Sequence, residues 1–176
     1  MRKLITYIAI SLDGKIADRD GGVEWLESLP HPKDEDYGYA TFIQSIDTTI
    51  MGNTTYQQVL GFDVPFPYQE QTNYVLTRNT DLKDDENVLF ISKDHAARIE
   101  ELKKEEGKDI WLIGGGQINT LCLQAGLIDE MIVHVMPYVM GAGIPLFSNE
   151  QLMQQIRLTD SKVYSSGVME LRYEVF

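Results

Sequence analysis

Three stretches of this chain run from an apolar segment into residues that suit a helix start, and each carries groups able to hold an anion. In the first, Ile110-Trp111-Leu112-Ile113 leads into Gly114-Gly115-Gly116-Gln117-Ile118. Bare glycine backbone admits a ligand closely, and the free N–H groups and dipole of a following helix favour negative charge. The same residues also suit a tight strand-to-helix turn with positive φ. The spacing is not G-x-G-x-x-G, because Asn119 stands three residues after Gly116, and no Gly-Lys-Ser/Thr follows. In the second, Ile50-Met51-Gly52 precedes Asn53-Thr54-Thr55-Tyr56, where Asn53 suits an N-cap and the threonines add hydroxyls at a helix start. In the third, Val75-Leu76 ends in Thr77 and Arg78, a hydroxyl and a permanent cation. On one sheet these strand ends would share the edge at which open α/β sheets bind ligands.

Two carboxylates are candidates for acid–base work. Asp13 follows the first apolar run in Ser11-Leu12-Asp13-Gly14-Lys15, and Asp36 stands at a helix start, not far in sequence from Trp25. An apolar lining would raise a carboxyl pKa toward neutrality. Each also has a structural reading: Asp13 as a turn-former before glycine, Asp36 as an acid suited to a helix N-terminus. His31, His95 and His134 lack metal-ligand spacing and read as structural. Cys122 reads as an inert core thiol, and Met131, Met136 and Met140 as core or interface filler.

The elements that must position these groups follow from periodicity. Lys3 to Leu12 is apolar on both faces, as in a central strand. A helix is predicted from near Asp34, with Tyr39, Phe42, Ile43 and Ile46 on one face. Short strands are predicted over Thr48–Met51, Tyr74–Thr77, Val88–Ile91 and Ile110–Ile113. Helices are predicted from Asn53 to Gly61, from Asp94 to Glu106, and after the glycine triplet to Gly126. Met131–Val139 reads as a long apolar strand. Met169, Leu171, Tyr173 and Val175 alternate with charged residues, a strand with one wet face entered through Ser165-Ser166-Gly167. Alternating strands and helices followed by antiparallel strands predict an α/β protein with one mixed, mostly parallel sheet.

Length and charge narrow the function. A chain of 176 residues predicts a single domain over residues 1–176. The net charge of −12 argues against nucleic acid as a partner and requires local donors for any phosphorylated ligand. No apolar run approaches the ~20 residues of a membrane span. The single cysteine excludes an internal disulfide, and the basic start Met1-Arg2-Lys3 leads into no signal-peptide pattern, so the expected location is cytoplasmic.

In order along the chain, Ala9-Ile10-Ser11-Leu12-Asp13-Gly14-Lys15-Ile16-Ala17, Met51-Gly52-Asn53-Thr54-Thr55-Tyr56, Val75-Leu76-Thr77-Arg78, Ile113-Gly114-Gly115-Gly116 and Gly126-Leu127-Ile128-Asp129-Glu130, continuing through Pro137 to Gly141-Ala142-Gly143-Ile144-Pro145-Leu146-Phe147, resemble the dihydrofolate-reductase-like superfamily. Within it the chain is most similar to the riboflavin-biosynthesis reductase (RibD C-terminal domain) family. The resemblance implies a three-layer α/β fold with an antiparallel C-terminal hairpin, and a reductase taking hydride from NADPH. It implies a nicotinamide against Ala9, Ile16 and Ala17, a pyrophosphate on the helix starts at Thr54-Thr55 and Gly115-Gly116, and an adenosine end at Thr77 and Arg78, with Gly52, Asn53, Ile113, Gly114, Gln117 and Ile118 as further cofactor contacts.

Two positions depart from the pattern. Asn53 stands where the family often has an arginine for the extra phosphate of NADPH, and Gln117 where dihydrofolate reductases often carry one. Arg78 is expected to compensate, which leaves NADH as an alternative cofactor. Riboflavin-type members reduce a pyrimidine bearing a ribosyl phosphate; there Asp13, Lys15 and Trp25 are the expected substrate contacts, with Lys15 facing the phosphate. In folate-type members an acid on the first helix assists protonation, a role that falls to Asp36. The alternatives are a dihydrofolate or other pterin reductase, and a non-catalytic dinucleotide- or pterin-binding protein. The expected partner is a small heterocyclic substrate, with a homodimer formed through Met131–Val139, Tyr138 and Met140.

Overall fold

Arg2 and Asp129 tie down the start of the first strand and leave its far end open. Arg2 pairs with Asp47 and donates to Thr48 Oγ1 at 2.6 Å. Asp129 accepts the Leu4 N–H at 2.7 Å and pairs at 2.7 Å with the buried Lys103. The computed structural model describes residues 1–28, 32, 35–148 and 151–176.

In chain order the strands are β1 (Leu4–Ser11), β2 (Lys15–Ala17), β3 (Ile46–Gly52), β4 (Thr72–Leu76), β5 (Leu89–Ile91), β6 (Asp109–Gly114), β7 (Glu130–Met136), β8 (Ile144–Pro145), β9 (Ile156–Val163) and β10 (Met169–Val175). The helices are α1 (Tyr39–Ser45), α2 (Asn53–Leu60), α3 (His95–Lys104) and α4 (Gly116–Gln124), with a 3-10 turn at Glu24–Leu26. The eight-stranded sheet has the order β5-β4-β3-β6-β1-β7-β10-β9. Every pairing from β5 to β7 is parallel, and β10 is antiparallel to both β7 and β9. The mixed, mostly parallel sheet expected of a dihydrofolate-reductase-like fold is therefore present, with the hairpin at its end.

Alternation along the strands sends side chains to opposite faces. Leu4, Ile110, Leu112, Met131 and Val133 pack with Ile99 and Leu102 of α3 and Cys122 and Leu123 of α4. Their neighbours Ile5, Trp111 and Ile132 pack with Phe42 of α1, and Met51 and Val75 pack with Tyr56 of α2. Helices thus cover both faces, making three layers. Gly126 ends α4 with φ +64, its N–H on Leu123 O and the Leu127 N–H on Cys122 O, a closing double bond that glycine permits.

Several expectations need correction. α1 begins at Tyr39, and Ile46, expected on its apolar face, opens β3. The predicted start near Asp34 and the reading of His31 lie outside the described residues. Gly52, not Asn53, occupies the N-cap of α2, and no side chain caps that helix. The short β2–β8 pair has no periodic signal, because two or three residues are too few to show alternation. Finally, β7 lies between β1 and β10, and its Met131 and Met136 are buried within the chain. Both edges of β7 are thus paired within the chain, while Val139, at the end of the expected interface, is exposed; the outermost strands are β5 and β9.

Candidate functional site

With the strand starts tied by charge pairs, the carboxyl ends of β1, β3, β4 and β6 border a single cleft of about 970 Å³. From β1 and the loop after it come Tyr7, Ile8, Ala9, Ile16 and Ala17. From the start of α2 come Gly52, Asn53, Thr54 and Thr55. The end of β4 supplies Leu76, Thr77 and Arg78, and His95 adjoins them. The end of β6 and the start of α4 supply Trp111, Ile113, Gly115, Gly116, Gln117 and Ile118. Every residue expected at the cofactor is among these except Gly114.

Local chemistry explains the shape. Gly114 has φ +103, and a β-carbon there would meet the Asn119 amide at 2.8 Å. At Gly116 a β-carbon would fall 2.4 Å from the carbonyl oxygen of Pro145. The glycines therefore let the turn pass beneath β8, which pairs with β2 and brings Ile16 over the same turn. The Gly114–Gly115 peptide is cis. At the β4 end, the Thr77 hydroxyl accepts the Asn79 N–H at 3.1 Å, and the His95 ring lies 2.9 Å from Thr77 O and 3.0 Å from Ile91 O. His95 thus pins the start of α3 to two strand ends, as its structural reading expects.

The electrostatics are one-sided. Although the chain carries net charge −12, no aspartate or glutamate lines the cleft among the described residues, and Arg78 is its one lysine or arginine. The amide N–H groups at the starts of α2 and α4 face no opposing carboxylate. The Asn53 Oδ1 is buried and without a hydrogen-bond partner among the described residues, a group that a ligand donor would satisfy.

The four residues expected outside the cofactor contacts are not brought into the cleft. The Asp36 carboxylate is exposed and accepts the N–H groups of Gly38 at 2.9 Å and Ala40 at 2.8 Å. These bonds hold its pKa below the ordinary carboxylate value, opposite to the rise an apolar lining would cause. Asp13 accepts the Met140 and Gly141 N–H groups at 2.9 and 2.8 Å and the Ser11 hydroxyl at 2.8 Å, which lowers its pKa to about 2. It clamps a loop. Lys15 is half-buried on β2, opposite Pro145, and only its neighbours Ile16 and Ala17 reach the cleft. Trp25 is buried beside Met136, Tyr164 and Val168, with its ring centroid 5.5 Å from that of Tyr138.

The cleft also holds residues that sequence reasoning passed over: Tyr7, Tyr39, Tyr68 and Trp111. Two were within reach. Tyr7 stands two before Ala9 and Trp111 two before Ile113, so strand alternation puts each on the same face as a residue already singled out. Tyr68 sits in the loop before β4, where no periodicity points. Among the described residues no group of three or more His, Cys, Asp or Glu side chains could hold a metal ion, and no helix is long and apolar enough to cross a membrane.

Comparisons agree with this architecture. Residues 2–169 match the family model described as the RibD C-terminal domain. The uncharacterized protein YwjB of Bacillus subtilis (strain 168) is 40% identical over 172 residues, covering 98% of this chain and 97% of that protein. A crystal structure from Shewanella sp. PV-4, provisionally described as a riboflavin biosynthesis protein, superposes with a TM-score of 0.88 at 29% identity over 99% of both chains. A dihydrofolate reductase from Enterococcus faecalis, complexed with NADP(H), superposes with a TM-score of 0.69 at 16% identity over 98% of this chain and 96% of that one. The chain belongs to the RibD C-terminal domain family.

Proposed function

We propose that this chain is an NAD(P)H-dependent reductase, of the riboflavin-biosynthesis type, that transfers hydride to a carbonyl or imine of a small heterocyclic substrate. The observation that carries this reading is a cleft with no carboxylate among its described lining residues, in a strongly acidic chain, where two helix starts and a guanidinium converge. Such a site suits a dinucleotide, whose phosphates need donors and cannot tolerate nearby anions.

The described residues fit the group. Amide N–H groups at Thr54, Thr55, Gly116 and Gln117 would hold the pyrophosphate, and Thr77 and Arg78 the adenosine end. Ala9, Ile16 and Ala17 would give the nicotinamide a dry apolar wall. When bound, the reduced nicotinamide supplies the hydride. The chain's own task is to orient ring against ring and keep water from the reacting carbon. Arg78 favours NADPH over NADH, because a guanidinium grips an extra phosphate with paired hydrogen bonds. A dihydrofolate reductase of the same fold is complexed with NADP(H), which supports the cofactor class. With Asp36 turned to its helix, the pterin-reductase reading loses the acid it relied on.

The test is a titration of the protein with NADPH and NADH, followed by loss of NADPH absorbance with candidate rings. Arg78→Ala is expected to weaken NADPH about ten- to hundredfold and NADH far less. No binding of either nucleotide would end this reading. Tight binding without turnover would make the chain a nucleotide-binding protein instead.

A further inference from the structure

We propose that Asn119 and Thr120, two neighbouring buried polar residues of α4, are positioning residues for the nucleotide: they hold the glycine turn in the shape that lets its N–H groups meet a pyrophosphate. This rests on the reading of the cleft as a dinucleotide site and specifies what fixes that site.

Their place on the helix is unusual for polar residues. Gly116, Asn119, Thr120 and Leu123 fall at i, i+3, i+4 and i+7 and are buried together on one face of α4. A helix face turned inward is ordinarily apolar, and a polar side chain there costs stability unless its hydrogen bonds are made. Asn119 is fully buried and Thr120 nearly so, and neither lines the cleft.

What they grip is the border of the cleft. The Thr120 hydroxyl donates to Gly116 O at 2.7 Å and accepts the Ser148 N–H at 2.8 Å. The Asn119 Nδ2 donates to Leu146 O at 3.1 Å, and its main-chain N–H donates to Gly115 O at 2.9 Å. The same amide fills the space beside Gly114, where a β-carbon would meet Oδ1 at 2.8 Å and Nδ2 at 3.1 Å. Two adjacent side chains thus bind the glycine turn on one side and the segment after β8 on the other. Gly115, Gly116 and Ser148 all line the cleft.

The Asn119 Oδ1 shows that this amide is not there for stability. It is buried and accepts no hydrogen bond among the described residues. A leucine of nearly the same shape would remove that unmet acceptor. An unmet polar atom beside a ligand-facing turn is a local cost of the kind that functional sites carry. The amide is also neutral, whereas a carboxylate in its place would set a negative charge beside the turn that the pyrophosphate would use.

The experiment uses the full chain, with NADP+ affinity read by calorimetry and folding by a thermal melt. Thr120→Val keeps the shape of the side chain and loses both hydroxyl bonds, and Asn119→Leu keeps the shape and loses the amide. Each is expected to weaken NADP+ by about fivefold or more, the worth of one hydrogen bond. Thr6→Val, on β1 and outside the cleft, removes another buried hydroxyl and is expected to leave the affinity within about twofold. Asn119→Asp supplies a readout that a general loss of packing would not move. Near about pH 8 it is expected to bind NADP+ more weakly than the wild type, and the deficit is expected to shrink toward about pH 5.5 as the buried carboxyl takes up its proton.

Wild-type affinity in either isosteric variant that folds, an equal loss in Thr6→Val, or an Asn119→Asp deficit that does not change with pH overturns the proposal. If Asn119→Leu does not fold, Thr120→Val decides. The wild type separates the two levels of failure. If it binds NADP+ and the variants bind equally well, only the positioning role falls; if it binds neither NADP+ nor NAD+, the reading of the cleft falls.

Discussion

Tyr7 and His134 donate to the same oxygen. The Tyr7 hydroxyl reaches the main-chain carbonyl of Tyr37 at 3.0 Å, the His134 Nε2 reaches it at 3.2 Å, and the two rings lie 4.8 Å apart. One partner lines the cleft and the other belongs to β7, behind which Glu170 sits 3.4 Å from the imidazole. The residues just before α1 are thereby fixed against the sheet by a wall of the cleft.

Tyr7→Phe removes one of these donors and leaves the ring stacking on Phe42, whose centroid is 4.4 Å away. The expected loss of stability is about 1 kcal/mol, the net worth of one part-buried hydrogen bond. Urea denaturation measures it, and an unchanged midpoint would show that the bond contributes nothing.

The His134 imidazole is held below its ordinary pKa of 6.5, chiefly by burial. The unfolded chain therefore binds this proton more readily than the folded one. Its contribution to stability is full above about pH 6.5 and is lost as pH falls through the depressed folded value. Glu170 is also held below its ordinary pKa, by Tyr164 and Arg172 against the opposing effect of burial, so its loss comes in a lower window. Melting temperatures from pH 7.5 to 5.5 are expected to fall in the wild type and to fall less in His134→Gln.

Asp36→Asn is expected to keep turnover within about twofold, because the carboxylate accepts the Gly38 and Ala40 N–H groups and lies outside the cleft. A general acid contributes roughly 10²–10⁴ in rate. A loss of that size in a folded variant would return Asp36 to a catalytic role.

Gly116→Ala drives a methyl group to 2.4 Å from Pro145 O and 2.6 Å from the Ser148 hydroxyl. The backbone carbonyl must move, at a cost of roughly 1–3 kcal/mol. A lowered melting temperature together with weaker NADPH binding is the expected result. Gly115→Ala, whose β-carbon would have ordinary contacts at 3.5 and 3.7 Å with Thr55 and Ile16, is the control and should cost less.

The part of the cleft proposed for the cofactor was legible in the sequence because its groups belong to strand ends and helix starts. Once Gly52, Thr77 and Gly115 are placed at the ends of β3, β4 and β6, parallel pairing brings them together with no further information. The aromatic end of the cleft was not legible in the same way. Asp13 and Asp36 have the residue type of acid–base groups, yet both satisfy nearby backbone N–H groups, a role that depends on loop conformation rather than periodicity. Tyr68 and Tyr39 reach Trp111 only through tertiary packing.

The pairing of Lys15–Ala17 with Ile144–Pro145 ties together two borders of the cleft that are far apart in the chain. A β-carbon at Gly143 would lie 2.3 Å from Ala17 O, much as one at Gly116 would press on Pro145 O. Mutational drift on either side of this clasp must therefore be matched on the other. Paired substitutions at Gly116 and Gly143 should show energies that do not add, so the two borders are constrained to evolve as one unit.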